Sequence, residues 1–240
     1  MKFLVFQHVE HEHPGLIADW ARERGVELQV IELWKPYKLP KLADVDALVI
    51  MGGPMGVYEG PDVFPSKQDE LKFIKEALNI IPIIGFCLGS QLLANALGAN
   101  VHPNLKDGKK IKEIGYYTVD LTQEAQSDPI FKGFTSPVGV FQWHGDAFDM
   151  PQNAILLATS TDYHNQAFRY GKFAYAMTFH NEFTPEMVES QIEIDKKWIH
   201  DGFNMNEEKL RQQAHENKDR MERQCYQLFD NFLSLVPKKA

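Results

Sequence analysis

The sequence predicts an α/β protein with three layers: a mainly parallel central sheet, mixed toward the C-terminal half, lies between helices, and a C-terminal helical extension follows. Three observations predict this class. The first half of the 240-residue chain alternates short apolar runs with amphipathic segments, the pattern of βαβ units. After Gly98, strand-like and hairpin-like runs replace that alternation, and from Thr184 the pattern becomes helical.

The elements of the first half follow from their composition and their boundaries. Four parallel strands, rich in β-branched or aliphatic residues and bounded by turn formers, are expected at Lys2 to Phe6, Leu28 to Leu33, Ala47 to Gly52 and Pro82 to Phe86. Helices are expected between Pro14 and Gly25, from Pro65 to Asn79 with Ser66 as N-cap, and from Leu88 to Leu97.

The C-terminal region carries one apolar helical stripe. Its members recur at steps of four and three: Leu210, Ala214, Asn217, Met221, Cys225, Leu228, Phe232 and Leu235. The stripe either packs on its own domain or, because the spacing also fits heptads, forms the seam of a homodimer. We predict one domain over residues 1–200 and a helical extension over 201–240 packed on it.

Composition excludes several classes of protein. A net charge of −8 disfavours a nucleic-acid binder, which needs concentrated positive charge. Apolar runs of about five to eight residues are far shorter than a membrane span, and the amino end does not resemble a secretory signal. Cys87 and Cys225 lie far apart and outside any CxxC pair, which indicates a reducing, cytoplasmic compartment.

The segment Gly85-Phe86-Cys87-Leu88-Gly89 lies where an apolar strand gives way to a helix. Small residues flanking a sharp strand-to-helix turn are typical of a nucleophile presented on strained backbone. At the amino end of a helix, the dipole and the unpaired N–H groups favour thiolate over thiol. The alternative is that Cys87 is a small core residue at the end of a buried strand.

A cysteine nucleophile needs a base, a group that orients the base, and donors for an oxyanion. Two pairs offer the base with its orienter, His180 with Glu182 and His144 with Asp146, because residues two apart on extended backbone share a face. Backbone N–H donors are expected from Leu88 and from the glycine turn 51–54 after the third strand, since parallel strand ends gather at one sheet edge.

Together these motifs resemble the class I glutamine amidotransferases with a Cys-His-Glu triad. The resemblance lies in PIIGFCLGSQLLANALGA, in the preceding GGP loop and in the late His-x-Glu, and it covers about Lys2 to Gln191. It implies a flavodoxin-like fold. The WHGD segment is similar to that of stand-alone proteins related to the GMP synthase glutaminase domain.

Carried over to this sequence, the resemblance implies that Cys87 is the nucleophile, His180 the general base and acid, and Glu182 the orienter of His180. It further implies that Gly53 and Leu88 supply oxyanion N–H groups and that the substrate-binding residues are Gln91, His144, Gly145 and Asp146. Attack on the γ-carbonyl of glutamine would give a thioester and ammonia, and water would then release glutamate. These steps require no metal or organic cofactor. Asn181 stands where the family usually has proline.

We favour a stand-alone glutamine amidotransferase-like hydrolase, with a γ-glutamyl peptidase as the next candidate, and other possibilities remain open. The chain could supply ammonia to a separate synthase subunit, because no Walker-type loop is visible in it. It could instead be a γ-glutamyl peptidase acting on glutathione-like compounds, or a non-catalytic regulatory module that keeps the fold. The run Gln7 to His13 holds three histidines and two glutamates that could bind zinc or copper, although a polar loop at the mouth of the pocket is favoured.

Overall fold

The computed structural model describes residues 1–106, 108–202 and 205–237. Its strands are β1 Lys2–Gln7, β2 Glu27–Glu32, β3 Ala47–Ile50, β4 Ile83–Phe86, β5 Val101–Pro103, β6 Leu105–Lys106, β7 Lys109–Lys110, β8 Glu113–Leu121, β9 Val138–His144, β10 Asp146–Phe148, β11 Ile155–Thr159, β12 Ala167–Tyr170 and β13 Ala174–Met177. Its helices are α1 Leu16–Arg24, α2 Lys67–Ala77, α3 Leu88–Ala96, α4 Gln123–Ser127, α5 Pro185–Ile194, α6 Lys196–His200 and α7 Glu207–Ser234, with 3₁₀ turns at Leu42–Asp44 and Pro129–Phe131.

One large mixed sheet organises the described residues. Its nine strands run in the order β2-β1-β3-β4-β13-β12-β11-β8-β9. The pairs from β2 through to β13 are parallel, and the pairs from β13 through to β9 are antiparallel. The predicted fold class is confirmed, including the change from a parallel to a mixed sheet after the first half.

The two faces of the sheet are both covered, which gives the three layers. Along β1, Phe3 and Val5 point into one apolar cluster, which includes residues of α1, α5 and α7. Leu4 and Phe6 point into the second cluster, which includes residues of α2 and α3. Alternate residues of a strand face opposite sides, so a strand that is apolar throughout is the expected centre of such a sheet.

The predicted elements of the first half are present with small shifts in their ends. The strand predicted to reach Gly52 ends at Ile50, which leaves both glycines in the loop that follows β3. Ser66 is the N-cap residue of α2, as predicted, but its side chain makes no capping hydrogen bond. Its hydroxyl accepts no backbone N–H and instead donates to Glu70 Oε1 at 2.8 Å.

The C-terminal stripe lies against the rest of the chain. Most of its residues are buried, and α7 packs on α1, α5, β8 and the second 3₁₀ turn. Phe232 meets Phe3 of the central sheet edge-on, with ring centroids 5.8 Å apart. Within the part of the chain that the structure describes, no helix is both long enough and apolar enough to cross a membrane.

Candidate active site

Cys87 lies on a strained turn between β4 and α3. Its backbone has φ 46° and ψ −107°, a conformation that non-glycine residues rarely adopt. The flanking glycines are required by close backbone contacts: a β carbon on Gly85 would lie 2.4 Å from the Gly89 carbonyl oxygen, and one on Gly89 would lie 2.3 Å from that of Ile50. The turn therefore holds the cysteine at the carboxyl edge of the sheet.

His180 and Glu182 follow the end of β13, the strand that pairs with β4. An isolated antiparallel bridge joins His180 to Phe141 of β9, through backbone hydrogen bonds of 2.8 and 3.2 Å. The ring Nδ1 lies 2.6 Å from Glu182 Oε1, and the ring also interacts with the Cys87 thiol, whose sulfur lies 3.8 Å from the Trp143 carbonyl oxygen, to which it donates. The structure thus brings together the three residues predicted as a triad, all of them buried.

The backbone around Glu182 is fixed by its neighbours. The Asn181 N–H donates to Glu182 Oε2 at 3.0 Å, and the Leu16 N–H at the start of α1 donates to the Glu182 carbonyl oxygen at 2.9 Å. Gly15 makes this approach possible, since a β carbon there would lie 2.3 Å from that carbonyl oxygen. Both the carboxylate and the main chain of Glu182 are therefore held.

Burial controls the ionisation of Cys87. Loss of solvent raises the pKa of its thiol, and the hydrogen bonds from His180 and from the Leu88 N–H lower it by less. The Leu88 N–H at the helix end therefore favours the thiolate, as predicted, and burial opposes it. Burial is the largest single influence on His180 and acts to lower its pKa, but the charge and hydrogen bond of Glu182, together with the contact to Cys87, outweigh it and raise that pKa well above its ordinary value.

A cavity of ≈ 350 Å³ opens beside Cys87. Of the residues predicted to bind substrate or stabilise an oxyanion, its lining includes Gly53, Gln91, His144, Gly145 and Asp146. Leu88, His180 and Glu182 are buried and are not among the lining residues. A space of this size accommodates a small-molecule ligand.

His144 belongs to a buried polar network. Its Nε2 lies 2.9 Å from Glu113 Oε2, and its Nδ1 faces the backbone oxygen of Asp146 at 3.1 Å, not the Asp146 carboxylate. Ser160 and Gln166 donate to the same Glu113 carboxylate. Both ring nitrogens of His144 are thus engaged, so the pair His144 and Asp146 does not have the arrangement of a base and its orienter.

Several pocket residues were not predicted from the sequence. Trp143, Gln191 and Asp195 line the cavity, and the Asp195 carboxylate accepts from Trp143 Nε1 and from Gln191 Nε2, each at 2.8 Å. The spacing of four between Gln191 and Asp195, at the end of α5, was a usable signal, because residues four apart share a helix face.

Glu12 also lines the cavity, close to the candidate triad. A β carbon placed on Gly52 would lie 2.2 Å from Glu12 Oε2 and 3.2 Å from His180 Cε1, so the carboxyl group and the imidazole flank the same glycine. Burial raises the pKa of Glu12 to about 7, against the opposing effect of His180 and His8. The sequence does not single out Glu12. It predicts only that the loop after β1 lies at the mouth of the pocket.

The histidines of that loop turn to different partners. His8 is buried and lies 2.9 Å from the Gly52 oxygen and 2.8 Å from Glu70, whereas exposed His13 accepts the Gly15 N–H through Nδ1. Among residues 1–106, 108–202 and 205–237, no group of three or more His, Cys, Asp or Glu side chains is arranged to hold a metal ion.

Comparison with known proteins places these features in a family. The family model described as glutamine amidotransferase class-I matches residues 14–198 of the chain. The chain therefore belongs to the class I glutamine amidotransferases and is a glutamine amidotransferase in the general sense of that family.

Individual relatives agree with this membership. The glutamine amidotransferase-like protein YfeJ of Salmonella typhimurium is 34% identical over 198 residues, covering 81% of this chain and 81% of the relative. One subunit of the glutamine-hydrolysing GMP synthase of Archaeoglobus fulgidus is 30% identical over 202 residues, covering 81% of this chain and 98% of the relative. A crystal structure of a glutamine amidotransferase from Thermotoga maritima superposes with a TM-score of 0.85 at 32% identity, covering 97% of each chain.

Proposed function

We propose that this chain hydrolyses the γ-amide of glutamine with Cys87 as the nucleophile. The observation that carries the proposal is the arrangement of Cys87, His180 and Glu182: a strained turn presents the thiol to an imidazole whose Nδ1 lies 2.6 Å from a buried carboxylate. That arrangement suits acyl transfer, because one imidazole can take and return the protons of both half-reactions.

The chemistry proceeds in two balanced steps. The thiol proton passes to His180, the sulfur attacks the γ-carbonyl carbon, and the imidazolium protonates the leaving nitrogen, so that ammonia departs and a γ-glutamyl thioester remains. His180 then takes a proton from water, the hydroxide attacks the thioester, and glutamate leaves as the thiol is restored. Because burial raises the pKa of Cys87, the thiolate forms as the partner of the His180 imidazolium and not in isolation.

The tetrahedral intermediate of each step places negative charge on the former carbonyl oxygen. The N–H groups of Gly53 and Leu88 are the proposed donors for that charge. Gly53 lines the cavity beside Cys87, and Leu88 follows the cysteine at the start of α3. Gln91, Gly145 and Asp146 lie on the same wall and are proposed to bind the substrate, with His144 supporting their loop.

The ammonia acceptor is proposed to lie on another protein. Support comes from the Archaeoglobus fulgidus relative, which is named as one subunit of a glutamine-hydrolysing GMP synthase and is covered over 98% of its length. A synthase subunit is thus the first partner to test.

A γ-glutamyl peptidase activity is the second candidate function, and the residues that line the cavity support it. Beyond Cys87 the cavity is also lined by Tyr58, Lys110 and Trp198, which offer aromatic and cationic contacts for a group attached past the γ-carbonyl. Glutamine itself has only an amide nitrogen at that position.

The test is glutamate release from glutamine, glutathione and other γ-glutamyl amides, with and without a candidate synthase subunit. Cys87→Ser is expected to abolish turnover of every substrate. Cys225→Ser is the matched control, because the second cysteine is a buried residue of α7 and does not line the cavity. Turnover that survives Cys87→Ser would refute the proposal, and a strong preference for a γ-glutamyl peptide would select the second candidate.

A further inference from the structure

A buried polar chain holds the peptide between Gly52 and Gly53 by its carbonyl group. His8 Nδ1 lies 2.9 Å from the Gly52 oxygen, and His8 Nε2 lies 2.8 Å from Glu70 Oε2. The other carboxylate oxygen, Oε1, accepts from the Ser66 hydroxyl at 2.8 Å. The side chains of His8 and Glu70 are both 0% exposed, so water does not compete for these contacts.

The contacts of the His8 ring define its protonation state. Both ring nitrogens face acceptors, a backbone carbonyl on one side and a carboxylate on the other. A neutral imidazole donates through only one nitrogen, so both contacts are satisfied when the ring is an imidazolium. Burial is the largest single influence on His8 and acts to lower its pKa, but the charge and hydrogen bond of Glu70, the Gly52 carbonyl and the charge of Glu12 together outweigh it, and the pKa is raised. The Gly52 carbonyl therefore receives a charge-assisted hydrogen bond.

This hydrogen bond also sets the direction of the Gly53 N–H. In a trans peptide, the carbonyl and the following N–H point in opposite directions, so fixing one fixes the other. Glycine lacks the side chain that would otherwise restrict such a peptide from rotating. Gly53 is packed closely as well, since a β carbon there would lie 2.9 Å from His8 Cβ and 2.9 Å from Leu88 Cδ2.

A donor to the carbonyl has an electronic effect in addition to its geometric one. Hydrogen bonds in series polarise one another, and a peptide whose oxygen accepts from a cation becomes a stronger donor through its N–H. The Gly53 N–H has no hydrogen-bond partner among the described residues, which leaves it free for a ligand.

We propose that His8, held by Glu70 and Ser66, is a positioning residue that aims and polarises the Gly53 N–H toward the oxyanion. The proposal rests on the proposed function, in which that N–H stabilises the tetrahedral intermediates. His8 touches neither the substrate nor Cys87 in this scheme and acts only through the glycine peptide.

The test compares variants that remove or keep the donor. His8→Leu/Glu70→Met removes the imidazole and leaves no buried carboxylate without its partner. His8→Asn keeps an N–H donor near the position of Nδ1. For each variant, the measurements are kcat and KM for glutamine, the affinity of the γ-aldehyde analogue of glutamine, and the rate at which iodoacetamide alkylates Cys87. The aldehyde adds the thiol to form an oxyanion, whereas alkylation forms none.

In the double variant, kcat and the aldehyde affinity are expected to fall together by about tenfold to a hundredfold, less than for loss of a whole oxyanion donor. KM and the alkylation rate are expected to stay within about twofold of wild type, because thiol ionisation does not use the Gly53 N–H. His8→Asn is expected to recover most of kcat.

An active, Cys87-dependent wild type whose double variant keeps its kcat would overturn the positioning role alone. An alkylation rate that falls in parallel with kcat would also overturn the positioning role, because the defect would then lie in the thiol and His180 and not in the Gly53 N–H. A wild type that neither releases glutamate nor binds the aldehyde would overturn the proposed function, and the positioning role with it.

Discussion

Glu12→Gln is expected to stabilise the protein at alkaline pH and to have little effect on stability under acidic conditions. The Glu12 carboxyl is only 6% exposed, and burial raises its pKa from 4.5 to about 7. Between those two values the folded protein binds more protons than the unfolded chain. The free energy of unfolding contributed by this group therefore falls as the pH rises through that window.

The size of the effect follows from the shift. A change of one pKa unit corresponds to about 1.4 kcal/mol, so the full shift costs the folded state about 3 kcal/mol once Glu12 is ionised in both states. Glutamine resembles the protonated acid in shape and stays neutral. The advantage of Glu12→Gln over wild type should thus grow by about 2 to 3 kcal/mol between pH 5 and pH 8, with most of the change below about pH 7.

Urea unfolding followed by tryptophan fluorescence across this pH range measures that difference. Glu10→Gln is the matched control, because Glu10 is exposed on the same loop and substitutions at exposed positions usually change stability little. A difference between Glu12→Gln and wild type that stays constant with pH, or that shrinks as the pH rises, would refute the argument from burial.

Three further substitutions test the geometry of the site and the packing of α7. Asn181→Pro removes the N–H that donates to Glu182 and is expected to lower kcat by about tenfold, the value of one hydrogen bond to a charged group, whereas Asn181→Ala keeps that N–H and should stay near wild type. Equal rates for the two variants would contradict this. Gly89→Ala forces a β carbon against the backbone of β3 and should lower stability by about 1 to 3 kcal/mol in urea unfolding, while Gly60→Ala, where nothing lies within 4 Å, should not. Phe232→Ala is expected to cost about 3 to 5 kcal/mol, and a cost below about 1 kcal/mol would show that α7 does not share the core.

The sequence is most informative about local order and least informative about contacts between distant segments. Apolar strands alternating with amphipathic helices predict the parallel half of the sheet. The pattern of apolar and polar residues in each strand or helix depends on which of its own faces are buried. The bridge between Phe141 and His180 carries no such local signal, since it depends on how β9 returns beside the end of β13. Motif spacing could name His180 and Glu182 as a pair but could not predict what fixes their backbone.

The same reasoning explains why the polar groups behind the site were missed. His8 and Glu70 are 62 positions apart and lie on different elements, so neither predicts the other. Ser66 is the N-cap residue of α2, a position at which the serine hydroxyl commonly accepts a backbone N–H. A buried carboxylate one helical turn further on offers its hydroxyl a stronger acceptor, and the side chain turns to Glu70. A charged partner within hydrogen-bond distance thus overrides the preference of serine for capping a helix with its side chain.

The replacement of the family's proline by Asn181 is best understood through the contacts that hold Glu182. Proline would fix its own φ but would offer no N–H. Asparagine gives up that restriction, and its N–H donates to the carboxylate that orients His180. The main chain of Glu182 is held independently by the Leu16 N–H at the start of α1, through an approach that only Gly15 permits. Because the backbone is fixed from outside the motif, the loss of proline need not loosen the pair of His180 and Glu182.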